Sequence, residues 1–359
     1  MEKKVSIYDI ARELGISTAT VSFVLNGKAA EKGISNAMEK KVTKYAEKIG
    51  YHPNLLAKSL RTGKSGIIGM LVEGISDPFF ASICRMVEEL AYEKGFKVFF
   101  ASTENKPDKA KALIRSFRES QVDGFIIAPT PEIQDEIQNL LDSNLPLVLF
   151  DRYFPELKTT NVIVDNEQGV VQMIEHFISC NCHSIGFITL ESAQVQMQDR
   201  LNGYRKTVVA HQLKERVLKV AYNDKESHIK EQIADFLKKH QELDAILFAT
   251  NYLTISGLAV LKEQGIKIPD EIAVSSFDDN ANFSIFSPSV TVVAQPVLAI
   301  SEEVIRLLME RLKEKVKKTN NTVILSTELI IRESTRIHRS PKSEKRAKAV
   351  KGPTKAKST

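Results

Sequence analysis

The chain has 359 residues, 43% of them hydrophobic and 26% charged, an ordinary core-forming composition that excludes a fibrous or wholly disordered protein. No stretch is long and apolar enough to span a membrane, and the N-terminus carries no apolar signal segment. The sequence therefore predicts a cytoplasmic protein with no membrane partner. Three cysteines, an odd number scattered through a long chain, are poor material for a disulfide framework. The net charge of +5 is unevenly spread. Residues 1–65 hold 12 Lys or Arg and 6 Asp or Glu, residues 333–359 hold 9 and 2, and the stretch between stands at −8. A basic head suits a phosphate backbone, and an acidic body avoids it.

In chain order, Val5 to Asn26 reads as two short helices broken by a turn. Ser6 caps the first and Asp9, three residues on, approximates a capping box. Ile7, Ile10, Ala11 and Leu14 make one apolar stripe. Gly15 permits a left-handed turn, Ser17 caps again, and Val21, Val24 and Leu25 carry the stripe of the second helix. Its outer face shows Thr18, Ala19, Thr20, Ser22 and Asn26, small and hydrogen-bonding residues of the kind a recognition helix brings into the major groove. A third helix is read from Ser35 through Ile49, with Ala37, Val42, Ala46 and Ile49 inward. Pro53 then stops the helical pattern, and Asn54 to Leu60 spans only about two turns, too short to be stable in isolation.

From Ser65 the texture changes to short runs rich in Val, Ile and Phe. GIIGMLVE, KVFFAS, GFIIAPT, LPLVLFD and NVIVD come first. SIGFITL, RVLKVAY, AILFAT, EIAVSSFD and TVVAQP follow. Such runs, separated by amphipathic stretches such as 108–120 and 227–239, predict parallel strands with crossover helices, hence a doubly wound α/β body in two similar lobes. The segment TVILSTELIIRES is expected to close the second lobe. The remaining residues, rich in lysine, serine and proline, have almost nothing to bury and read as a solvated basic tail.

The runs YDIARELGIS, TVS, VLN, Y-x-PN-x-LA-x-SLRTGKS and IGMLVEGISDPFF, then FDR, VDN, DRLNGY and SSFDD, resemble the lactose-repressor/galactose-repressor family of bacterial transcription regulators. The resemblance covers roughly residues 3 to 335. It implies a helix-turn-helix head (1–50), a hinge helix and linker (51–64), and a two-lobed effector-binding and dimerisation body (65–335) like periplasmic sugar-binding proteins, with three crossover segments. Residues 336–359 form the tail. In the head, the resemblance places Thr18, Ala19 and Phe23 where side chains read base edges. It places Tyr8, Ser17, Thr20, Ser22 and Asn26 where backbone and phosphate contacts are made. In the hinge it places Asn54, Ala57 and Leu60 on DNA, with Leu60 as a minor-groove wedge.

Many members carry arginine where this chain has Phe23. Arginine makes two hydrogen bonds to guanine, whereas phenylalanine offers only an apolar face, for instance to a thymine methyl. The other reading of Phe23 is packing within the head's own core.

Ligands in doubly wound sheets bind beyond the carboxyl ends of the strands. The residues there, by position and by resemblance, are Phe79, Phe80, Asp151, Arg200, Asn251 and Asp278. Carboxylates and an amide suit adjacent hydroxyls, and Arg200 offers a planar fork. Phe80 also reads as simple core. Asp278 and Asp279 are adjacent on a strand end and point apart, with no nucleophile or phosphate loop nearby, so no enzyme activity is predicted. His176, Cys180, Cys182 and His183 fail the usual zinc spacings, and no metal or cofactor is expected. The sequence thus predicts a homodimeric DNA-binding regulator of a near-palindromic double-stranded operator. The expected function is repression of sugar-use genes under a small-molecule effector. The alternative is a regulator of the same family switched on by a corepressor or partner protein.

Overall fold

The computed structural model describes residues 6–51, 64–222, 224–313 and 321–336. The chain divides into two compact units, Met1–Gly66 and Ile67–Thr359. In the first, α1 (Ile7–Leu14), α2 (Thr18–Leu25) and α3 (Asn36–Lys48) pack around Ile10, Val21, Val24, Val42 and Ala46. The Asp9 carboxylate accepts from the Ser6 N–H at 2.9 Å and from its hydroxyl at 2.7 Å, which fixes the first turn of α1. Gly15 ends that helix at φ +64°, and Ser17 Oγ accepts from the Thr20 N–H at 3.0 Å to open α2. Ala37, read as inward, is exposed. Met38 and Tyr45 pack on the core instead, because helix α3 turns its Met38–Val42–Tyr45 stripe toward α1 and α2.

The second unit holds two six-stranded sheets. The first contains β1 (Ile67–Val72), β2 (Lys97–Ser102), β3 (Gly124–Ile127), β4 (Leu147–Phe150) and β5 (Thr160–Val164). Around it lie α4 (Pro78–Glu93), α5 (Pro107–Glu119) and α6 (Gln134–Asp142). The second sheet contains β6 (Ile185–Leu190), β7 (Val217–Val220), β8 (Ala245–Phe248), β9 (Ala273–Phe277) and β10 (Thr291–Ala294). Helices α7 (Asn166–Ser179), α8 (Val195–Ala210), α9 (Glu226–Lys239) and α10 (Asn251–Glu263) cover it. Then α11 (Val297–Lys313) returns to the first lobe, followed by β11 (Asn321–Leu325) and β12 (Glu328–Ile330).

The strand orders are β11-β5-β4-β3-β1-β2 and β12-β10-β9-β8-β6-β7, the same winding twice. Every pairing is parallel except β12 with β10. The expected ten strands and two lobes are all present. The closing segment differs from expectation: β11 pairs with β5 of the first lobe, and only β12 closes the second. The described chain therefore passes between the lobes after β5, after β10 and between β11 and β12, as the resemblance implied. Central strands are buried on both faces, but the edge strands β2 and β7 are only half-buried, because each has one neighbour and less helix cover.

One close seam is between α7 and α8. A Cβ on Gly203 would lie 2.5 Å from the Glu167 carbonyl oxygen, a backbone atom that cannot rotate away. Gly203→Ala is expected to destabilise the body by about 1–3 kcal/mol through overpacking, read as a lowered midpoint in urea unfolding. An unchanged midpoint would show that α7 and α8 separate freely.

Candidate functional site

The outer face of α2 is the first candidate. At 3.6 residues per turn, Thr18, Ala19, Ser22, Phe23 and Asn26 fall within an arc of about 140°. Val21 and Val24 point to the opposite side, into the head's core, and Leu25 packs against that core at the margin of the arc. The arc is therefore presented because the other half of the helix is buried. Asn26 Nδ2 donates to the Ser22 carbonyl at 2.6 Å, and Ser17 and Thr20 share a 2.8 Å hydroxyl contact. Tyr8, on α1, is 72% exposed. Phe23 is half-buried and is not among the residues of the head's core cluster; Lys32 Nζ sits 5.5 Å from its ring centroid. The ring thus carries a cation beside it on the outer face, a residue the sequence reading did not single out. Asn54, Ala57 and Leu60 lie outside the described residues.

The second candidate is the cleft between the lobes, a narrow cavity of about 40 Å³. Five of the six residues named from the sequence line it: Phe79, Phe80, Asp151, Arg200 and Asp278. Asn251 stands at its edge, where Nδ2 donates to Asp77 Oδ2 across the lobes at 3.2 Å. Asp77 also caps α4, its Oδ1 accepting from the Phe79 N–H at 2.9 Å. That cap turns Phe79 and Phe80 inward, where both belong at once to the first-lobe core and to the cleft wall.

Asp151 follows β4 and Asp278 follows β9, equivalent strands of the two lobes. Both adopt left-handed backbone, at φ +66° and +70°. Aspartate tolerates that conformation better than most residues but still at a cost of order 1–3 kcal/mol. The strand ends therefore turn sharply and aim two carboxylates into one cavity.

Arg200, 2% exposed, donates from Nε to Asn166 Oδ1 at 2.8 Å and from Nη1 to the Ala249 carbonyl at 2.7 Å. Its guanidinium lies 3.6 Å over the Phe277 ring and 3.6 Å from Asp278 Oδ2. In the first lobe Arg152, 3% exposed, binds Glu73 at 2.5 Å and Asp151 at 3.1 Å. Burial pushes the carboxyls of Asp77, Asp151 and Asp278 above the usual range. The nearby arginines oppose the shift on Asp151 and Asp278 only in part.

Glu73, Arg152, Gln196, Tyr252 and Gln295 also line it and were given no role from the sequence. Glu73 and Gln295 directly follow β1 and β10, so the strand-end rule applied to every strand would have found them. Gln196 leaves no such trace: only the packing of α8 shows it 4% exposed with Oε1 unpartnered.

Asp279 turns away from the cleft to a two-armed pair with Arg332 at 2.9 and 2.7 Å. Among the described residues no cluster of His, Cys, Asp and Glu is arranged to hold a metal. His176 Nε2 contacts Thr335 Oγ1 at 2.9 Å, Cys182 is buried and His183 is exposed.

A helix-turn-helix head joined to a two-lobed ligand-cleft body defines a class of DNA-binding regulator. The profile of "Bacterial regulatory proteins, lacI family" matches residues 6–54, and that of "Periplasmic binding protein-like domain" matches residues 174–335. The chain is 30% identical over 333 residues to the HTH-type transcriptional repressor PurR of Photobacterium profundum, covering 92% of this chain and 98% of the relative. Its fold matches the crystal structure of the Lac repressor dimer bound to operator and the anti-inducer ONPF. That match has a TM-score of 0.80 at 23% identity and covers 93% of this chain and 99% of the other. It also matches a periplasmic binding protein/LacI transcriptional regulator from Alkaliphilus metalliredigens complexed with D-xylulofuranose. There the TM-score is 0.68 at 24% identity, over 75% and 98% of the two chains. The chain belongs to the lacI family of bacterial regulatory proteins, and it is a DNA-binding transcriptional regulator.

A carboxyl whose folded pKa lies above its unfolded value binds its proton more tightly in the folded state. Its contribution to stability is complete below about pH 4 and is lost as pH rises through the raised value. Asp278→Asn removes one such group. Between about pH 4 and pH 7 the urea midpoint of the variant, relative to the unaltered chain, should shift in the variant's favour. A gap that does not change with pH would mean that Asp278 is not raised by burial.

Proposed function

We propose that this chain is a repressor whose operator affinity is controlled by a neutral, polyhydroxylated small molecule, a sugar, bound between its lobes. The observation that carries the reading is the imbalance of the cleft. Glu73, Asp77, Asp151 and Asp278 face only Arg152 and Arg200, and the oxygens of Gln196 and Gln295 are buried without partners. An acceptor-rich, net-negative cavity favours ligands that donate hydrogen bonds and carry no negative charge. Adjacent sugar hydroxyls meet both conditions, and the faces of Phe79 and Phe80 suit the apolar side of a ring. A neighbour of the same fold is recorded with a bound sugar.

The two lobes touch directly. Asp77 meets Asn251 at 3.2 Å, and Asn105 Oδ1 accepts from Gln194 Nε2 at 3.2 Å. A ligand that replaces or reinforces these contacts changes the balance between lobe arrangements by its differential affinity. The change reaches DNA through residues 51–64, the proposed hinge and linker, with Asn54, Ala57 and Leu60 on the operator. The base-reading roles of Thr18, Ala19 and Phe23, and the backbone roles of Tyr8, Ser17, Thr20, Ser22 and Asn26, belong to the same proposal. The acting species is a cytoplasmic homodimer on a near-palindromic operator. Exposed Tyr92 and Phe99 in the first lobe, and Ile285 and Phe286 in the second, are apolar surface that a second copy would cover.

Operator selection from random DNA, followed by binding in the presence of sugars and nucleobases, tests the reading. A neutral sugar is expected to change operator affinity at least tenfold, and Arg200→Ala should abolish that response. A weakening marks an inducer and a strengthening marks a corepressor. If only anionic ligands act, the charge argument fails. At the base pair facing residue 23 the unaltered chain should not require guanine. Phe23→Arg should create a guanine preference worth about 1–3 kcal/mol, measured by competition between operators differing at that pair.

A further inference from the structure

The segment that leaves α2 is built as a bracket. Gly27 and Gly33 take left-handed backbone at φ +69° and +65°, and between them Ala29 is buried in the head's core. One turn of 3-10 helix, Ala30–Lys32, follows. The Lys32 N–H donates to the Lys28 carbonyl at 3.2 Å, and the Ile34 N–H donates to the Ala29 carbonyl at 2.9 Å. The near end is tied to α2 itself, where the Lys28 N–H donates to the Phe23 carbonyl at 2.8 Å. A connection held by a core residue and by its own hydrogen bonds fixes what it carries relative to α2.

It carries two cations. Lys28 and Lys32 are exposed and one turn apart, and among the described residues neither makes an ion pair. They differ in one respect: Lys32 Nζ stands 5.5 Å from the centroid of Phe23, and Lys28 has no such ring contact among the described residues. A cation so placed at an exposed site is worth about a two- to fivefold shift in an equilibrium, enough to bias how the ring lies. A recognition helix offers its amino-terminal residues to base edges. A group attached beyond its carboxyl end is therefore carried toward the margin of the groove, where phosphates lie. An ammonium there, with no carboxylate to neutralise it, suits a phosphate oxygen better than a base edge.

We propose that Lys32 binds a backbone phosphate beside the base pair that Phe23 faces, and through its contact with the ring holds Phe23 against that pair. Lys32 is then a positioning residue for operator choice. The inference rests on the base-reading role of Phe23 given above and adds what makes that role selective. An apolar contact to a thymine methyl has little direction of its own, and an unsupported phenylalanine can turn away from a mismatched pair at small cost. A ring braced by a cation, itself anchored to the DNA backbone, keeps one placement and discriminates more sharply. Lys28 lends charge to the same surface without bracing the ring.

Salt titrations of operator binding by the full chain, repeated on operators altered one base pair at a time, test the proposal. Lys32→Gln is expected to make the slope of log K against log salt shallower by about 0.9 per head. It should also reduce discrimination at the pair facing Phe23 about two- to fivefold, leaving discrimination at other pairs unchanged. Lys32→Arg should restore both, and Lys28→Gln should leave discrimination intact. Phe23→Leu should lose the discrimination and keep the salt slope. A shallower slope with discrimination untouched in Lys32→Gln would overturn the positioning role, and an unchanged slope would overturn the phosphate contact. Equal losses at every pair would show a distorted head and overturn it as well. So would a guanine requirement that disappears with Lys32, since the lysine would then read a base. Discrimination that survives Phe23→Leu would remove the base-reading role of Phe23, and this inference with it.

Discussion

Arg200 makes the interactions on which the second lobe's cleft wall depends. A guanidinium 2% exposed to solvent must satisfy its donors within the protein. It does so on groups from separate elements: Asn166 at the start of α7, the carbonyl of Ala249 after β8, and Asp278 after β9, while Phe277 supports its plane. Each partner comes from the carboxyl end of a strand or the helix that follows the crossover. The rim of the lobe is thereby pinned around one cation. Arg152 holds a similar position in the first lobe, where Glu73 after β1 and Asp151 after β4 meet it. Two buried cations, one per lobe, are what allow several acids to share a small space.

The two lobes repeat one winding, and the repeat reaches individual residues. Asp151 and Asp278 end equivalent strands, both in left-handed backbone, and both have carboxyls shifted upward by burial. Such strain, with acids withdrawn from water, lowers the stability of the ligand-free state. It also leaves acceptors already oriented, so that a hydroxylated ligand need not reorganise them. The same economy operates on the outer surface of the head. There α2 buries Val21 and Val24 and so turns its small polar residues and Phe23 outward. In both places the candidate surface is the half of an element that packing does not use.

Regulation requires that the lobes have more than one arrangement of comparable free energy. Among the described residues the direct interlobe hydrogen bonds include Asp77 with Asn251, Asn105 with Gln194 and Tyr222 with Glu73, all polar. Single hydrogen bonds contribute about 0.5–1.5 kcal/mol each. Contacts of that strength position the lobes without locking them, and a ligand making several bonds to both lobes can dominate them. The hydrophobic cores lie within lobes, so rearrangement leaves them intact.

The sequence by itself determined the helix-turn-helix, the ten body strands, the two-lobed winding and five of the residues that line the cleft. These are local or periodic signals: caps at Ser6 and Ser17, a glycine at position 15, Val/Ile/Phe runs, and polar residues directly after strands. It misplaced Ala37, because a short helix with alanine on two faces does not specify which one packs. It assigned TVILSTELIIRES to one lobe, because nothing local says that β11 pairs with a strand more than 150 residues earlier. Only the tertiary structure decided that Phe23 lies beside Lys32 on the outer face and that Asp279 faces away to Arg332. It alone showed that Gln196 and Gln295, at the cleft wall, each keep a buried oxygen without a hydrogen-bond partner. Those facts depend on what each side chain meets across the fold. Partners distant in sequence leave no period or spacing in the chain to announce them.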